Sequence, residues 1–287
     1  MKTYISVFIW VVAVVVAFSV AAQSADPDLV KDYYESVSEG KRLEAELLKI
    51  EQRLTAYQAS KQYVRTGDPL SATVRIEVTS PGSIITGSAF ILECAKNLNS
   101  DGTRNCLVAT VAHAFRNAGI TDPTRDVSSA LIKVQLSDKG RITNVSVPAR
   151  FIGGALQSDV DAAYVVAEMP GSMVVPVVPL ISANYRAAPN QPVIQYGYPN
   201  GRLIAEVNRR NIVSTTANRY IICSGSSASG NSGGLLVNSQ GDAIGIASAS
   251  GGGECHFTSF GEMRALAADP AVAMNLARYG LGAVFKK

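Results

Sequence analysis

Residues 227–238 read SASGNSGGLLVN and set Ser232 between Gly230-Asn231 and Gly233-Gly234, just before a short apolar run. A serine hydroxyl is a weak nucleophile at neutral pH and needs an adjacent base, most often an imidazole. The chain has only 2 histidines, His113 and His256. His113 stands in CLVATVAHAF, where an apolar run gives way to a short alanine-rich stretch, so a rigid strand end can hold its ring at a cleft. Such a base needs a carboxylate that fixes its tautomer and stabilises the imidazolium. QSDVDAAYVVAE offers Asp159 and Asp161, and Asp161 is preferred because it lies closer to the apolar run. An aspartate entering such a run is expensive to bury without a partner. The glycines let the backbone bend beside Ser232 without Cβ clashes. The Gly230 and Ser232 amides can then converge on one point as an oxyanion hole. Taken singly, each feature has a plainer reading: a Gly/Ser loop, a satisfied core histidine, an aspartate capping a turn. Together they point to acyl transfer, with Ser232 attacking, His113 moving the proton and Asp161 orienting His113.

Chain order separates the folds that carry such a trio, and His…Asp…Ser is the chymotrypsin order. GNSGG also satisfies G-x-S-x-G formally. The α/β-hydrolase fold, however, places its histidine last and alternates strands with helices. Here only His256 follows Ser232, and the flanking texture is strand after strand.

The elements that must position these residues are short. From about Pro69 onward, runs such as ATVRIEV, GSAFILE, CLVAT, ALIKVQL, AAYVVAE, QPVIQYGYP, YIICS, GLLVN and AIGIAS recur between turn residues. That pattern predicts an all-β barrel or sandwich. Only EMRALAADPAVAMNLARYG near the end reads as helix, restarted at Asp269-Pro270 and stopped at Gly280. Upstream, residues 26–66 form a charged island in which Leu43, Leu47, Ile50, Leu54 and Tyr57 repeat at heptad spacing. This predicts an amphipathic helix, either packed on the following domain or forming a stalk or homo-oligomer through residues 37–64. The opening stretch, with one early lysine, an apolar run from Ile5 to Ala22 and then small residues, reads as a signal peptide over 1–22. An uncleaved anchor is the alternative, since about 20 apolar residues span a bilayer. Either way the remainder is expected outside the cytoplasm, secreted or periplasmic.

The bulk composition excludes several functions. The 287 residues are 47% hydrophobic and 17% charged, with a net charge of +3. That charge is too small to argue for nucleic acid or an anionic membrane. No Cys or His spacing suits zinc, so no metal and no cofactor is expected. The 4 cysteines, Cys94, Cys106, Cys223 and Cys255, favour disulfides in an exported chain and permit three pairings.

Over roughly residues 70–268 the chain resembles trypsin-like serine endopeptidases of the chymotrypsin fold, closest in texture to the bacterial Htr and V8-like branches. GSAFIL resembles the strand before the histidine, ATVAHAF the histidine motif, DVDAAYVV the aspartate motif, GYPNG a turn of the bacterial branch, and GNSGGLLVNSQGDAIGIAS the nucleophile motif. The resemblance implies two six-stranded antiparallel barrels over residues 69–287, with protein or peptide substrates in the cleft between them. It implies that Ser248 hydrogen-bonds the aspartate and that Ser248, Ala249 and Ser250 form an edge that pairs with extended peptide. It also implies local disulfides, Cys94–Cys106 and Cys223–Cys255, the second across the walls of the specificity pocket. Aligned on the nucleophile loop, Ser226 and Ser227 should lie at the base of that pocket; its small, neutral lining fits small or apolar side chains at least as well as acidic ones, and His256 is either a structural histidine beside the bridge or an aid to an acidic side chain. The chain departs from the family in lacking an Ile-Val-Gly-Gly activation sequence, in placing Leu235 where proline is usual, and in offering no PDZ module. A protease-fold scaffold oligomerised through its N-terminal helix is the rival function, and an acyl hydrolase acting on esters is a third.

Overall fold

The computed structural model describes residues 35–49, 64–66, 68–120, 131–155, 160–216 and 219–286. The expected signal segment, the heptad positions Ile50, Leu54 and Tyr57, and Asp159 lie outside the described residues. The chain divides into two units, Met1–Gln58 and Ala59–Lys287. In the first, residues 35–49 are helical, and Leu43 and Leu47 on this helix are exposed.

The second unit is built from strands, as the alternation predicts. One closed antiparallel barrel has the order β2-β3-β4-β7-β6-β5. Its strands are β2 (Thr73–Ser80), β3 (Ser83–Cys94), β4 (Thr103–Thr110), β5 (Leu131–Asp138), β6 (Arg141–Gly154) and β7 (Ala163–Pro170). A second closed barrel has the order β10-β11-β14-β13-β12-β9. It comprises β9 (Pro192–Gly197), β10 (Glu206–Thr216), β11 (Tyr220–Ser224), β12 (Leu235–Val237), β13 (Ala243–Gly251) and β14 (Glu254–Ser259). Two short strands, β1 (Val64–Thr66) and β8 (Val175–Val177), pair in parallel beside them. Closure removes most of the exposed edges that would otherwise template aggregation.

Inward positions of β4 and β7 are apolar nearly throughout, and Leu107, Val108, Ala109, Tyr164 and Val165 are fully buried. The Tyr164 hydroxyl donates to the Met263 carbonyl at 2.7 Å. This ties the first barrel to helix Phe260–Ala268, whose Phe260 meets Phe90 edge-on. Asp269 caps the next helix, Pro270–Arg278, by accepting from the Ala271 and Val272 amides, with proline at the first turn as the sequence predicts.

Cys94, the last residue of β3, pairs with Cys106 in the middle of β4 and forms a disulfide with it, with Cα atoms 4.0 Å apart. A loop of this size corresponds to about 3 kcal/mol in the chain-entropy account. The expected Cys223–Cys255 bridge is not formed. The two residues stand opposite each other on β11 and β14, but both are buried free thiols. The reason is local: Cys255 Sγ donates to the Gly225 carbonyl at 2.9 Å, in the loop that leaves β11, rather than meeting the Cys223 sulfur. Burial pushes the Cys223 thiol up to about 12, partly offset by Arg210, and raises that of Cys255 in the same way. A thiol-specific chromogenic reagent at pH 8 should therefore titrate no cysteine in the native protein and 2 after denaturation. No titration after denaturation would mean that the second bridge had formed. A buried thiol favours the protonated native state, so its contribution is complete below the ordinary thiol range near 9 and is lost as pH climbs toward 12.

Candidate active site

His113 opens a short helical turn, His113–Asn117, immediately after β4. Ala112 precedes it without a capping side chain. Asp161 fills that role from the segment that leads into β7. Its Oδ1 accepts the His113 backbone amide at 2.8 Å, and its Oδ2 lies 2.5 Å from His113 Nδ1. One carboxylate thus caps the turn and holds the ring. The Nδ1 proton directed at Asp161 leaves Nε2 as the acceptor. The aspartate is further held by Arg116, whose Nη2 lies 3.3 Å from Oδ1. Thr258, fully buried in the second barrel, donates to the Asp161 carbonyl at 3.3 Å. The side chains of His113 and Asp161 retain 27% and 13% exposure, which suits groups at the edge of a cleft.

The loop carrying Ser232 is pinned to the first barrel. Ser88 on β3 donates its amide to the Ser232 carbonyl at 2.8 Å and its hydroxyl to the Gly230 carbonyl at 2.8 Å. The same hydroxyl accepts the Tyr198 amide at 2.8 Å, and the Ser88 carbonyl accepts from Thr110 Oγ1 at 2.8 Å. Thr110 is the last residue of β4, three positions before His113. One serine therefore couples the Ser232 loop to the strand that leads to His113. Among the described residues Ser232 Oγ makes no hydrogen bond to His113; such contacts commonly tighten only with substrate bound.

Backbone geometry in the loop favours an anion cradle. Gly230 and Gly233 have φ of 91° and 84°, and the amides of Gly230 and Ser232 donate to no acceptor among the described residues. The Ser229 carbonyl is drawn away by the Asn200 amide at 2.6 Å. Asn200 itself is left-handed, with φ 53° in the GYPNG turn, a strain that the fold sustains at this point. A Cβ on Gly230 would stand 2.8 Å from that same Asn200 nitrogen.

Beside Ser232 lies a pocket of about 190 Å³ lined by Ser227, Ala228, Ser229, Ala247, Ser248, Ala249 and Ser250. Four expected residues, Ser227, Ser248, Ala249 and Ser250, are therefore here. Ser226 and His256 are not. His256 alternates with the buried Cys255 and Phe257 on β14, and this period of two turns its side chain away from the barrel interior. Ser226 is exposed and spends its carbonyl on Arg210. Ser248 does not reach Asp161. It is the extra residue of a bulge between Ala247 and Ala249, and its hydroxyl donates to the His256 carbonyl at 3.0 Å. β12 pairs with β13 only as far as Ile246, which leaves Ser248–Ser250 with a free edge on that side.

Ser88, Arg116 and Asn200 escape the motif reading. Arg210 and Gln195 do too, although the period-two pattern places each with the inward residues of its strand: Arg210 with Ile212, Gln195 with Val193.

A sequence model of the trypsin-like peptidase domain matches residues 87–246, which is more than half of the chain. The chain belongs to the trypsin-like peptidase domain family. Trypsin-like peptidases act on peptide bonds, and the matched span begins one residue before Ser88 and encloses His113, Asp161 and Ser232. Among solved structures, a serine endoprotease from Yersinia pestis aligns with a TM-score of 0.52 at 20% identity, over 76% of this chain and 66% of that one. At this identity the likeness concerns the fold, and the trypsin-like chain spans just under two thirds of that protein's length. No curated protein sequence matches closely enough to count as a relative.

Proposed function

We propose that this trypsin-like peptidase is an exported serine endopeptidase working through an acyl-enzyme. Ser232 attacks the scissile carbonyl, and its proton passes to His113 Nε2. Asp161 holds the imidazolium, and the Gly230 and Ser232 amides receive the oxyanion. Breakdown of the tetrahedral adduct protonates the leaving amine from His113, and water then releases the acyl group by the same route. The observation that carries this reading is the grip of Asp161 on both the ring and the backbone of His113. Extended substrate pairs with the free edge at Ser248–Ser250. In this reading residues 1–22 direct export, residues 26–66 form a helical pro-segment or stalk, and residues 69–287 are the catalytic domain. The Cys94–Cys106 bridge suits an oxidising compartment, and no described helix is long and apolar enough to cross a membrane. Exposed Leu43 and Leu47 supply the first positions of an oligomerising seam.

The purified domain, incubated with a proteome-derived peptide library, is expected to yield new termini detectable by mass spectrometry. A folded protein that leaves every peptide intact but cleaves simple esters would instead be an acyl hydrolase of the same fold.

A further inference from the structure

Behind the pocket wall sits a buried cation. Arg210, 8% exposed, projects from β10 into the second barrel. Its Nε donates to Gln195 Oε1, its Nη1 to the Ser224 carbonyl and its Nη2 to the Ser226 carbonyl, each at 2.8 Å. Among the described residues no carboxylate lies within ion-pair distance of it. A buried guanidinium satisfied only by neutral acceptors keeps its charge, and the low-dielectric surroundings carry that charge further than water would.

Two short chains of hydrogen bonds lead from this cation to the pocket. Gln195, 1% exposed, accepts from Arg210 and donates its Nε2 to Ser227 Oγ at 3.1 Å. The Ser227 hydroxyl, having accepted, retains one proton, and it stands between the pocket that it lines and the Cys255 thiol, its other hydrogen-bonding neighbour. The second chain crosses a peptide bond. The Ser226 carbonyl is held by Arg210, and the amide on its far side, that of Ser227, donates to Ser250 Oγ at 2.8 Å. Only the first route brings a donor to the pocket, because the Ser250 hydroxyl at the end of the second donates to the Glu254 carbonyl at 3.2 Å; the pocket lining contains no charged side chain.

We infer that Arg210, acting through Gln195 and Ser227, selects peptides with a carboxylate side chain, aspartate or glutamate, at the residue whose carbonyl is attacked. The inference rests on the endopeptidase reading and assigns its substrate class. It gives the pocket a positive potential that neither its serine lining nor His256 supplies. A purely structural clamp on the Ser224–Ser226 loop would need the same three hydrogen bonds but would not distinguish glutamate from glutamine.

The test is cleavage of the peptide library by the full chain, followed by kcat/KM for substrates that differ only in Glu or Gln at the cut. The wild type is expected to favour Glu over Gln by about tenfold or more. Gln195→Glu is nearly isosteric, still accepts from Arg210 and places a negative charge against it. In that variant the Glu:Gln ratio should fall toward one, with a melting curve showing that the fold persists. Arg210→Met should do the same if it folds, and Gln195→Glu decides the matter if it does not. Cuts made chiefly after neutral residues, or a ratio unchanged in folded Gln195→Glu, would overturn the inference while leaving the hydrolase reading in place. No cleavage of any peptide would overturn both.

Discussion

Ser232→Ala should reduce peptide hydrolysis about 10⁶-fold and Asp161→Asn about 10⁴-fold, and the double variant should be little worse than Ser232→Ala alone. The first figure follows from removal of the only covalent nucleophile in the scheme. The second follows from the hydrogen bonds of Asp161. An asparagine that accepts the His113 amide with its carbonyl presents an N–H₂ to Nδ1, and this forces the proton onto Nε2, where the Ser232 hydroxyl needs an acceptor. Because the cap on the His113 turn survives, Asp161→Asn should lose turnover with little loss of fold. Asp161→Ala, which removes the cap as well, should lose both, with a cap worth about 1 kcal/mol. Single-turnover rates and urea melts on the three variants separate these effects. A rate for Asp161→Asn within tenfold of wild type would show that the pairing is structural only.

Gly233→Ala should be the most damaging single-methyl change in the second barrel. At φ 84° the residue is left-handed, and a Cβ there would stand 1.9 Å from the Ser88 carbonyl oxygen and 2.4 Å from Thr110 Oγ1. The first contact is with backbone of a closed barrel, so the loop has to leave β3. Doing so breaks the Ser88–Ser232 hydrogen bond that couples the two barrels. A cost of about 4 kcal/mol or more is expected, the range of severe packing defects. Gly82→Ala is the control. It too has positive φ, 83°, but nothing within 4 Å of the added carbon, so it bears only the backbone penalty of about 1–2 kcal/mol. Equal melting temperatures for the two variants would mean that the close approach at Gly233 is not what locks the Ser232 loop.

These two sites also mark what can be read from residues alone. The barrels are legible because strands with one inward face alternate, and because their turns are marked by glycine and asparagine. The candidate site is legible because two histidines leave few choices for a base, and because the Gly-rich loop around Ser232 has no helical use. What escapes depends on register. The bulge at Ser248 shifts its hydroxyl from Asp161 to the His256 carbonyl, and no local pattern announces a bulge. Cys223 and Cys255 stand opposite each other as the resemblance implies, yet the Cys255 thiol spends its proton on Gly225. Ser88 looks like an ordinary residue of an apolar strand until the second barrel is laid against it. Arg210 lies on the inward face of its strand by period two, but its meaning depends on Gln195 and the Ser224–Ser226 carbonyls converging from two other strands.

The claim on which the rest depends is that Ser232 is the activated nucleophile. A biotinylated fluorophosphonate tests it without knowledge of the substrate, because it reacts with a serine only when a base and an oxyanion site act on that serine together. The predicted result is one adduct per folded chain, mapped by peptide mass spectrometry to Ser232 and absent from Ser232→Ala and His113→Ala. Folded wild-type protein that stays unlabelled, or that carries the adduct on another residue, would contradict the account.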